Sequence, residues 1–235
     1  MALAKYGGGI IQLSGSIAGN TFARNRFGNY VRARTKPINP KSNLQNAIRA
    51  SIAYLADRWS NTLDDAKRQA WNTYGDRVNM LNRLGEVIHL SGYNHYIRSN
   101  AILRYYVQTL VDDGPALFEI PAQDNTLAVT ANTADQKLYI SFDNTLDWAK
   151  EDGAWIFWFQ GQPQNGQRNF FGGPWRFCGA TAGVAPGPAA SPIDRPVSFP
   201  IATGQRQWIY GRIGRADGRL SQPFRANCIV TENGA

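Results

Sequence analysis

The charged residues of this 235-residue chain are distributed in a way that restricts how its first quarter can fold. Residues 1–56 contain eight lysines and arginines and no aspartate or glutamate. The other 17 basic residues are balanced by 17 acidic ones, so the whole formal charge of +8 belongs to this segment. Like charges repel, and a segment without counter-charges is therefore not expected to pack on itself. We expect its counter-charges on nucleic acid, on an acidic protein surface or on a neighbouring copy.

The first 41 residues consist of short strand-like pieces separated by glycine and asparagine. Residues 18–20 and 25–28 fit hairpin turns, because Gly and Asn tolerate the positive φ that such turns require. A ribbon of two or three strands is only marginally stable by itself. The sequence therefore predicts a basic β-ribbon arm that needs a partner surface.

The side chains expected to make this contact are the aromatic and basic residues of the ribbon. A planar guanidinium group pairs with a carboxylate through two hydrogen bonds. The same side chains could also follow phosphates and stack on bases. The predicted partner-binding residues are Phe22, Arg24, Arg26, Phe27, Tyr30, Arg32, Arg34 and Lys36.

Residues 42–111 predict three short helices. Pro37 and Pro40 end the ribbon, and Ser42 with Gln45 fits a capping box. The first helix is expected to end at residues 61–62, where Thr62 with Asp65 starts the second. Its apolar stripe recurs at three- and four-residue steps. The stripe consists of Leu44, Ile48, Ile52, Leu55 and Trp59.

The third helix is predicted to begin after Ser91, following a short extended connector at residues 87–90. Its expected buried residues are Tyr93, Tyr96, Ile97, Leu103 and Tyr106.

Beyond a linker at residues 112–125 the chain predicts a different architecture, over residues 126–235. Seven short alternating segments separated by turn signals are typical of an immunoglobulin-like sandwich. Residues 208–223 resemble the hairpin formed by the last two strands of fibronectin type III domains. The expected fold class is α+β, with a β-ribbon arm and helices preceding an antiparallel sandwich. The predicted strands are residues 126–131, 137–142, 154–160, 175–180, 197–201, 207–215 and 224–231.

Catalytic chemistry is not favoured by the sequence. His89 and His95 do not have the spacing of a helical metal pair, and we interpret both as structural or surface residues. No cofactor is expected. Cys178 and Cys228 are predicted to be buried free thiols.

A carbohydrate-active enzyme built on the sandwich would need paired carboxylates and exposed tryptophans such as Trp155, Trp158 or Trp175. Trp155 and Trp158 have opposite parity in one strand, so we expect one of them to point into the core. This weakens the enzyme hypothesis.

The first hundred residues contain an ordered series of motifs. They read SGSIAGNTFARNR at residues 14–26, YVRARTKPINP at 30–40, AKRQAWNTY at 66–74, LSGYN at 90–94 and RSN at 98–100. In this series the chain resembles uncharacterised proteins encoded in phage and prophage-like structural gene regions. The resemblance implies a component of a virion, made in the host cytoplasm.

These expectations combine into one functional hypothesis. The chain is expected to be a non-enzymatic virion structural protein, such as a capsid-decorating, cement or head–tail connecting component, that docks through its basic arm. Its expected partners are other virion proteins and copies of itself, with no membrane involved. The alternative is a nucleic-acid-binding protein that uses the same arginines.

Overall fold

The computed structural model describes residues 2–36, 38–82, 84–106 and 109–232. Its helices and antiparallel sheets confirm the α+β class. The first sheet contains four strands in the order β1-β4-β3-β2. They are β1 (Ala2–Leu3), β2 (Gly15–Ile17), β3 (Asn20–Asn25) and β4 (Gly28–Ala33).

The strand β1 was not expected, because two residues carry no detectable period; it pairs with Tyr30 and Val31 of β4. Pro37, which we expected to help end the ribbon, lies outside the described residues.

The helices are α1 (Asn43–Asn61), α2 (Asp65–Arg77) and α3 (Gly92–Tyr106). Ser42 caps α1 as predicted, its hydroxyl accepting a hydrogen bond from the Gln45 amide at 3.4 Å. The return hydrogen bond of the expected capping box is absent among the described residues, because the Gln45 side-chain oxygen has no partner there. The predicted start of α2 at Thr62 is wrong. Thr62 ends α1, and the carboxylate of Asp64 accepts from the Lys67 amide at 2.8 Å. A carboxylate also interacts favourably with the helix dipole, which explains why Asp64 takes this position.

A short hairpin joins α2 to α3. Its strands are β5 (Met80–Leu81) and β6 (Val87–Ile88), which confirms the extended connector. The three helices and this hairpin enclose an aromatic core around Trp71, Tyr74 and Tyr96, each at most 1% exposed.

The buried face of α3 is more polar than predicted. Tyr96 and Leu103 are buried as expected, but so are His95, Ser99 and Asn100. The hydrogen bonds of the Asn100 side-chain amide offset the cost of burying its polar atoms. It donates to the Tyr96 carbonyl at 3.2 Å and exchanges two hydrogen bonds with the Val111 backbone, at 2.9 and 2.8 Å.

His95 is fully buried and has a different character. Its ring lies 4.9 Å from the ring of Tyr74, and neither ring nitrogen has a hydrogen-bond partner among the described residues. Burial, together with the nearby Arg98 cation, lowers the pKa of His95 from 6.5 to about 4. His95 is thus a structural residue, as expected, but one that must stay neutral.

This neutrality makes stability depend on pH. The unfolded chain binds a proton at His95 below about pH 6.5, whereas the folded chain does so only near pH 4, so folding is weakened as the pH falls. We expect a loss of about 2 kcal/mol between pH 7.5 and pH 5. Urea unfolding at the two pH values measures it. The variant His95→Phe should lose much of this difference, and His89→Phe, at an exposed site, should retain it. Equal behaviour of the two variants would contradict the assignment.

Seven strands form two antiparallel sheets, in the orders β11-β8-β7 and β10-β9-β12-β13. Side chains of both sheets meet in one apolar core. In β9, Trp158 is completely buried in this core and Trp155 lies on the other face, as the parity argument predicted. The strands are β7 (Ala128–Asn132), β8 (Lys137–Ser141), β9 (Trp155–Gly161), β10 (Trp175–Ala182), β11 (Ile193–Pro196), β12 (Arg206–Gly214) and β13 (Phe224–Ile229).

Six of the seven predicted strands are confirmed, but the fifth is wrong. The strand is Ile193–Pro196, at the edge of its sheet, where proline is tolerated. Residues 197–201 enter the core without pairing as a strand. The side chain of Gln160 accepts from the Ser198 and Phe199 amides, and that of Gln136 accepts from the Ile201 amide at 3.1 Å. Side-chain amides thus replace the neighbouring strand that this segment lacks.

The helices pack against the outer face of the larger sandwich sheet. Arg98 of α3 donates to the carbonyls of Leu220 and Ser221 at 2.7 and 2.8 Å. At the end of α3 the ring of Tyr106 stacks on Phe177, with centroids 3.4 Å apart. These contacts connect the helical core to the sandwich.

The segment after α3 lies along the helices. The Asp112 carboxylate pairs with Arg58 and accepts from the Tyr96 hydroxyl at 3.2 Å, and its carbonyl accepts from the Trp71 indole at 2.9 Å. Where the chain divides into independently folding units stays a prediction.

Candidate docking surface

The four-stranded sheet of the arm presents its predicted contact residues on two opposite faces. In the β3–β4 ladder, Phe22 lies opposite Val31 and Thr21 lies opposite Arg32. Directly paired residues share a face and consecutive residues alternate. Phe22 and Arg24 therefore lie on one face, while Tyr30 and Arg32 lie on the other.

The face that carries Phe22 is partly apolar. Phe22 and Val31 are half-buried against each other, whereas Arg24 is exposed. The Arg24 guanidinium lies 3.5 Å from the Gln12 side-chain oxygen, where residues 10–12 cross this end of the sheet. This face combines an apolar patch with one exposed cation.

The opposite face carries the other basic residues of the last strand. Arg32 is exposed beside the half-buried Tyr30. Arg34 follows the strand, and its amide donates to the Gly19 carbonyl at 2.8 Å. Lys36 is exposed beyond it.

Arg26 and Phe27 form the hairpin turn between β3 and β4. The Asn25 side chain accepts from the Phe27 amide at 2.9 Å, and Gly28, with φ of 116°, completes the turn in a conformation that favours glycine. The guanidinium carbon of Arg26 lies 5.1 Å from the ring centroid of Phe27. The tip of the hairpin therefore presents a cation on an aromatic ring.

This sheet has no core of its own. None of the described residues from 3 to 54 is buried, and Leu55 is the first that is. A sheet normally buries at least one face against another element, and neither face of this one contains a buried residue among those described.

All but one of the cations of the arm lack a counter-charge among the described residues. Among the described residues, Lys5 is the one arm cation that pairs with a carboxylate, that of Glu86 in the β5–β6 hairpin. Apart from this pair, no hydrogen bond or ion pair connects residues 2–36 to the rest of the described chain.

Sequence reasoning missed the apolar part of this surface. Ile11 and Ile17 are 84% and 66% exposed, and Ile10 is about half exposed. Leu44 and Ile52 on α1 are exposed as well, although their helical period was read correctly as one stripe. The period shows which residues share a face, but it does not show whether another element covers that face.

The sandwich offers less chemistry. Cys178 and Cys228 are free, half-buried thiols, and burial raises their pKa to about 12 and about 11. They lie on β10 and β13, the two edges of a four-stranded sheet, about 14 Å apart at ordinary strand spacing and too far for a disulfide. No grouping of three or more metal-ligating side chains occurs among the described residues.

A cavity of about 340 Å³ lies beside the 3₁₀ turn Asp147–Lys150. Two carboxylates line it, those of Glu119 and Asp147, together with the buried Trp148. The Glu119 carboxylate already accepts a hydrogen bond from the Arg219 guanidinium at 2.8 Å.

No protein-family model matches the chain, and no curated protein is similar to it in sequence. No helix within the described residues is long and apolar enough to span a membrane.

Proposed function

We propose that this protein is a non-enzymatic structural component of a phage-type particle that docks through its basic N-terminal arm. The observation that carries the proposal is a four-stranded sheet with no buried residue among those described, in a stretch of chain, residues 1–56, that contains eight basic residues and no acidic one. Because residues 14–100 resemble phage structural proteins, we propose that it decorates the capsid, cements it or connects head and tail.

A protein partner fits this surface better than nucleic acid does. A nucleic-acid groove collects its cations along one track. Here Arg24 and Arg32 lie on opposite faces of the sheet, and exposed isoleucines such as Ile11 and Ile17 accompany them. Exposed apolar side chains among guanidinium groups suit an acidic protein surface with apolar positions.

We also propose that the sandwich is of the immunoglobulin-like, fibronectin type III class. The strand orders support this, because β11-β8-β7 and β10-β9-β12-β13 correspond to the E-B-A and C′-C-F-G sheets of that class. Such a domain would be displayed outward or make lateral contacts, while the arm anchors it.

Docking is tested with particles that lack the protein and to which purified protein is added back. The double variant Arg24→Gln with Arg32→Gln removes one cation from each face of the arm. We expect its affinity for particles to fall about tenfold or more, since two charge pairs of roughly 1 kcal/mol each are lost. The matched control, Arg168→Gln with Arg176→Gln, removes the same charge from the sandwich and should bind normally.

The same variants separate the two hypotheses for the arm. If the arm binds nucleic acid, filter binding to a short DNA duplex should be tight at low salt and weaken steeply as salt rises. The double variant would then lose DNA affinity instead of particle affinity. Equal binding of the arm and sandwich variants to particles would remove the docking role of the arm.

A further inference from the structure

Two arginines meet at one neutral oxygen where the helices pack on the sandwich. Arg98 of α3 donates from its two Nη atoms to the carbonyls of Leu220 and Ser221, at 2.7 and 2.8 Å. Arg212 of β12 donates from its Nε atom to the same Ser221 carbonyl at 3.4 Å. The nitrogen atoms that share this oxygen are therefore no more than about 6 Å apart, so the two guanidinium groups are neighbours.

This pair of cations has no counter-charge among the described residues. None of the ion pairs found there includes Arg98 or Arg212. Glu119 and Asp217 lie in the same region, but both pair with Arg219 instead. The residues outside the described ranges contain no aspartate or glutamate. The acidic side chains of the chain thus leave the charge of the pair uncompensated.

Burial makes this an unfavourable place for two like charges. Both arginine side chains are partly buried, and the Ser221 residue that they share is completely buried. Burial, together with the charge of Arg212, lowers the pKa of Arg98 to about 10, and burial also lowers the pKa of Arg212. A desolvated cation without a partner costs free energy, and repulsion between two of them adds to the cost. A bound anion would offset both.

The pair also keeps hydrogen-bond donors free for such an anion. A guanidinium group carries five N–H donors. Among the described residues, Arg212 uses only the donor on Nε, so its two Nη atoms have no acceptor. Guanidinium groups bind carboxylate and phosphate groups through two parallel hydrogen bonds. One guanidinium occupies both oxygens of a carboxylate, whereas a tetrahedral oxyanion has further oxygens for the second guanidinium.

We propose that Arg98 and Arg212 form a binding site for one tetrahedral oxyanion of the phosphate type, at the seam between α3 and the sandwich. Arg212 donates to the anion from its free Nη atoms, and Arg98 contributes its charge and its remaining donor. Because the two arginines belong to different parts of the fold, the anion helps to hold the helices against the sandwich. The site contains no residue of the arm and does not depend on docking of the arm.

Calorimetric titration of the full chain with inorganic phosphate, at constant ionic strength set with chloride, measures the binding. Wild type should bind one ion per chain, and Arg212→Met should bind it at least tenfold more weakly, since the bidentate partner is lost. Arg225→Met is the matched control and should bind like wild type. It removes an exposed arginine from the same face of the sheet, where Arg225 lies opposite Tyr210.

Two further ions define the chemistry of the site. Glycerol phosphate carries a terminal phosphate group, as a larger ligand would. Binding of inorganic phosphate, of glycerol phosphate or of both supports the site and separates a free ion from a terminal group, and binding of neither overturns it. Acetate should bind more weakly than phosphate, because a planar carboxylate cannot serve both arginines. Acetate binding as tight as that of phosphate would contradict the choice of a tetrahedral ion.

Thermal unfolding tests the site independently of the heat of binding. Without an oxyanion, Arg212→Met should be at least as stable as wild type, because it removes one of two repelling charges and keeps an apolar stem. With phosphate at ten times its Kd, the Tm of wild type should rise by roughly 3 to 6 °C and exceed that of the variant. Phosphate also stabilises proteins by exclusion from their surface, and the rise that remains in Arg212→Met measures this general effect.

Arg212→Lys keeps the charge without the planar fork and should bind phosphate with an affinity between those of wild type and Arg212→Met. This variant also keeps the proposal testable if Arg212→Met does not fold, which circular dichroism shows. An equal rise of Tm in wild type and Arg212→Met would overturn the proposal. So would phosphate binding by Arg212→Lys as tight as that of wild type, or a loss of binding in Arg225→Met as large as in Arg212→Met.

Discussion

Replacing Gln160 by leucine is expected to lower the free energy of unfolding by about 3 to 5 kcal/mol. The Gln160 side chain is completely buried and makes four hydrogen bonds. Its amide donates to the Phe199 carbonyl at 3.0 Å and to the Gln207 side chain at 3.1 Å, and its oxygen accepts from the Ser198 and Phe199 amides. Leucine has a similar volume, so the cost comes from polar groups left buried without partners. Urea unfolding followed by tryptophan fluorescence measures it.

Gln162, just after the same strand, provides the matched control. Its side chain is exposed, and Gln162→Leu should change stability by less than about 0.5 kcal/mol. If both variants were equally stable, the packing of residues 197–201 would not depend on Gln160. Limited proteolysis gives a second readout. New cleavage of Gln160→Leu near residue 198 would show that the hydrogen bonds of Gln160 hold that segment in place.

Replacing Arg98 by methionine is expected to cost about 2 to 3 kcal/mol. Methionine keeps an apolar stem in place of the arginine stem, but the Leu220 carbonyl loses the Arg98 donor and the Ser221 carbonyl keeps only the longer hydrogen bond from Arg212, at 3.4 Å. Part of the loss is offset, because burial and the neighbouring Arg212 already disfavour the Arg98 cation and lower its pKa to about 10. Because these hydrogen bonds join the helices to the sandwich, we also expect less cooperative unfolding.

Arg104 on the same helix serves as the control for Arg98. Its guanidinium contacts the exposed Tyr54 ring and not the sandwich, so Arg104→Met should cost less than about 1 kcal/mol. Calorimetry compares the three proteins. An Arg98→Met protein as stable and as cooperative as wild type would show that aromatic contacts such as Tyr106 on Phe177 are sufficient to join the two parts.

What the sequence predicted well is determined by near neighbours along the chain. The cap at Ser42 depends on residues three positions apart, and the opposite orientation of Trp155 and Trp158 depends on strand parity alone. Six sandwich strands were found for the same reason, since each carries its own alternation and is bounded by its own turn residues.

What the sequence did not reveal depends on contacts between distant residues. Residues 197–201 alternate like a strand, yet their partners are the side chains of Gln136 and Gln160. His95 is a polar residue for which the sequence left a surface position open, and it is buried because its side of α3 packs against Tyr74 of α2. For the candidate docking surface, the sequence indicated the cations, whereas the exposure of Ile17 and Leu44 became visible only in the fold, where both are more than half exposed.

The separation of charge within the chain has a consequence for how the molecule approaches other molecules. All of the net charge lies in residues 1–56, and the rest of the chain is formally neutral. Such a molecule has a large electric dipole moment, and in the field of an acidic surface it rotates until the arm leads. Orientation would then precede contact. A larger fraction of collisions would then be productive. The association rate constant would respond to ionic strength more than the lifetime of the complex does.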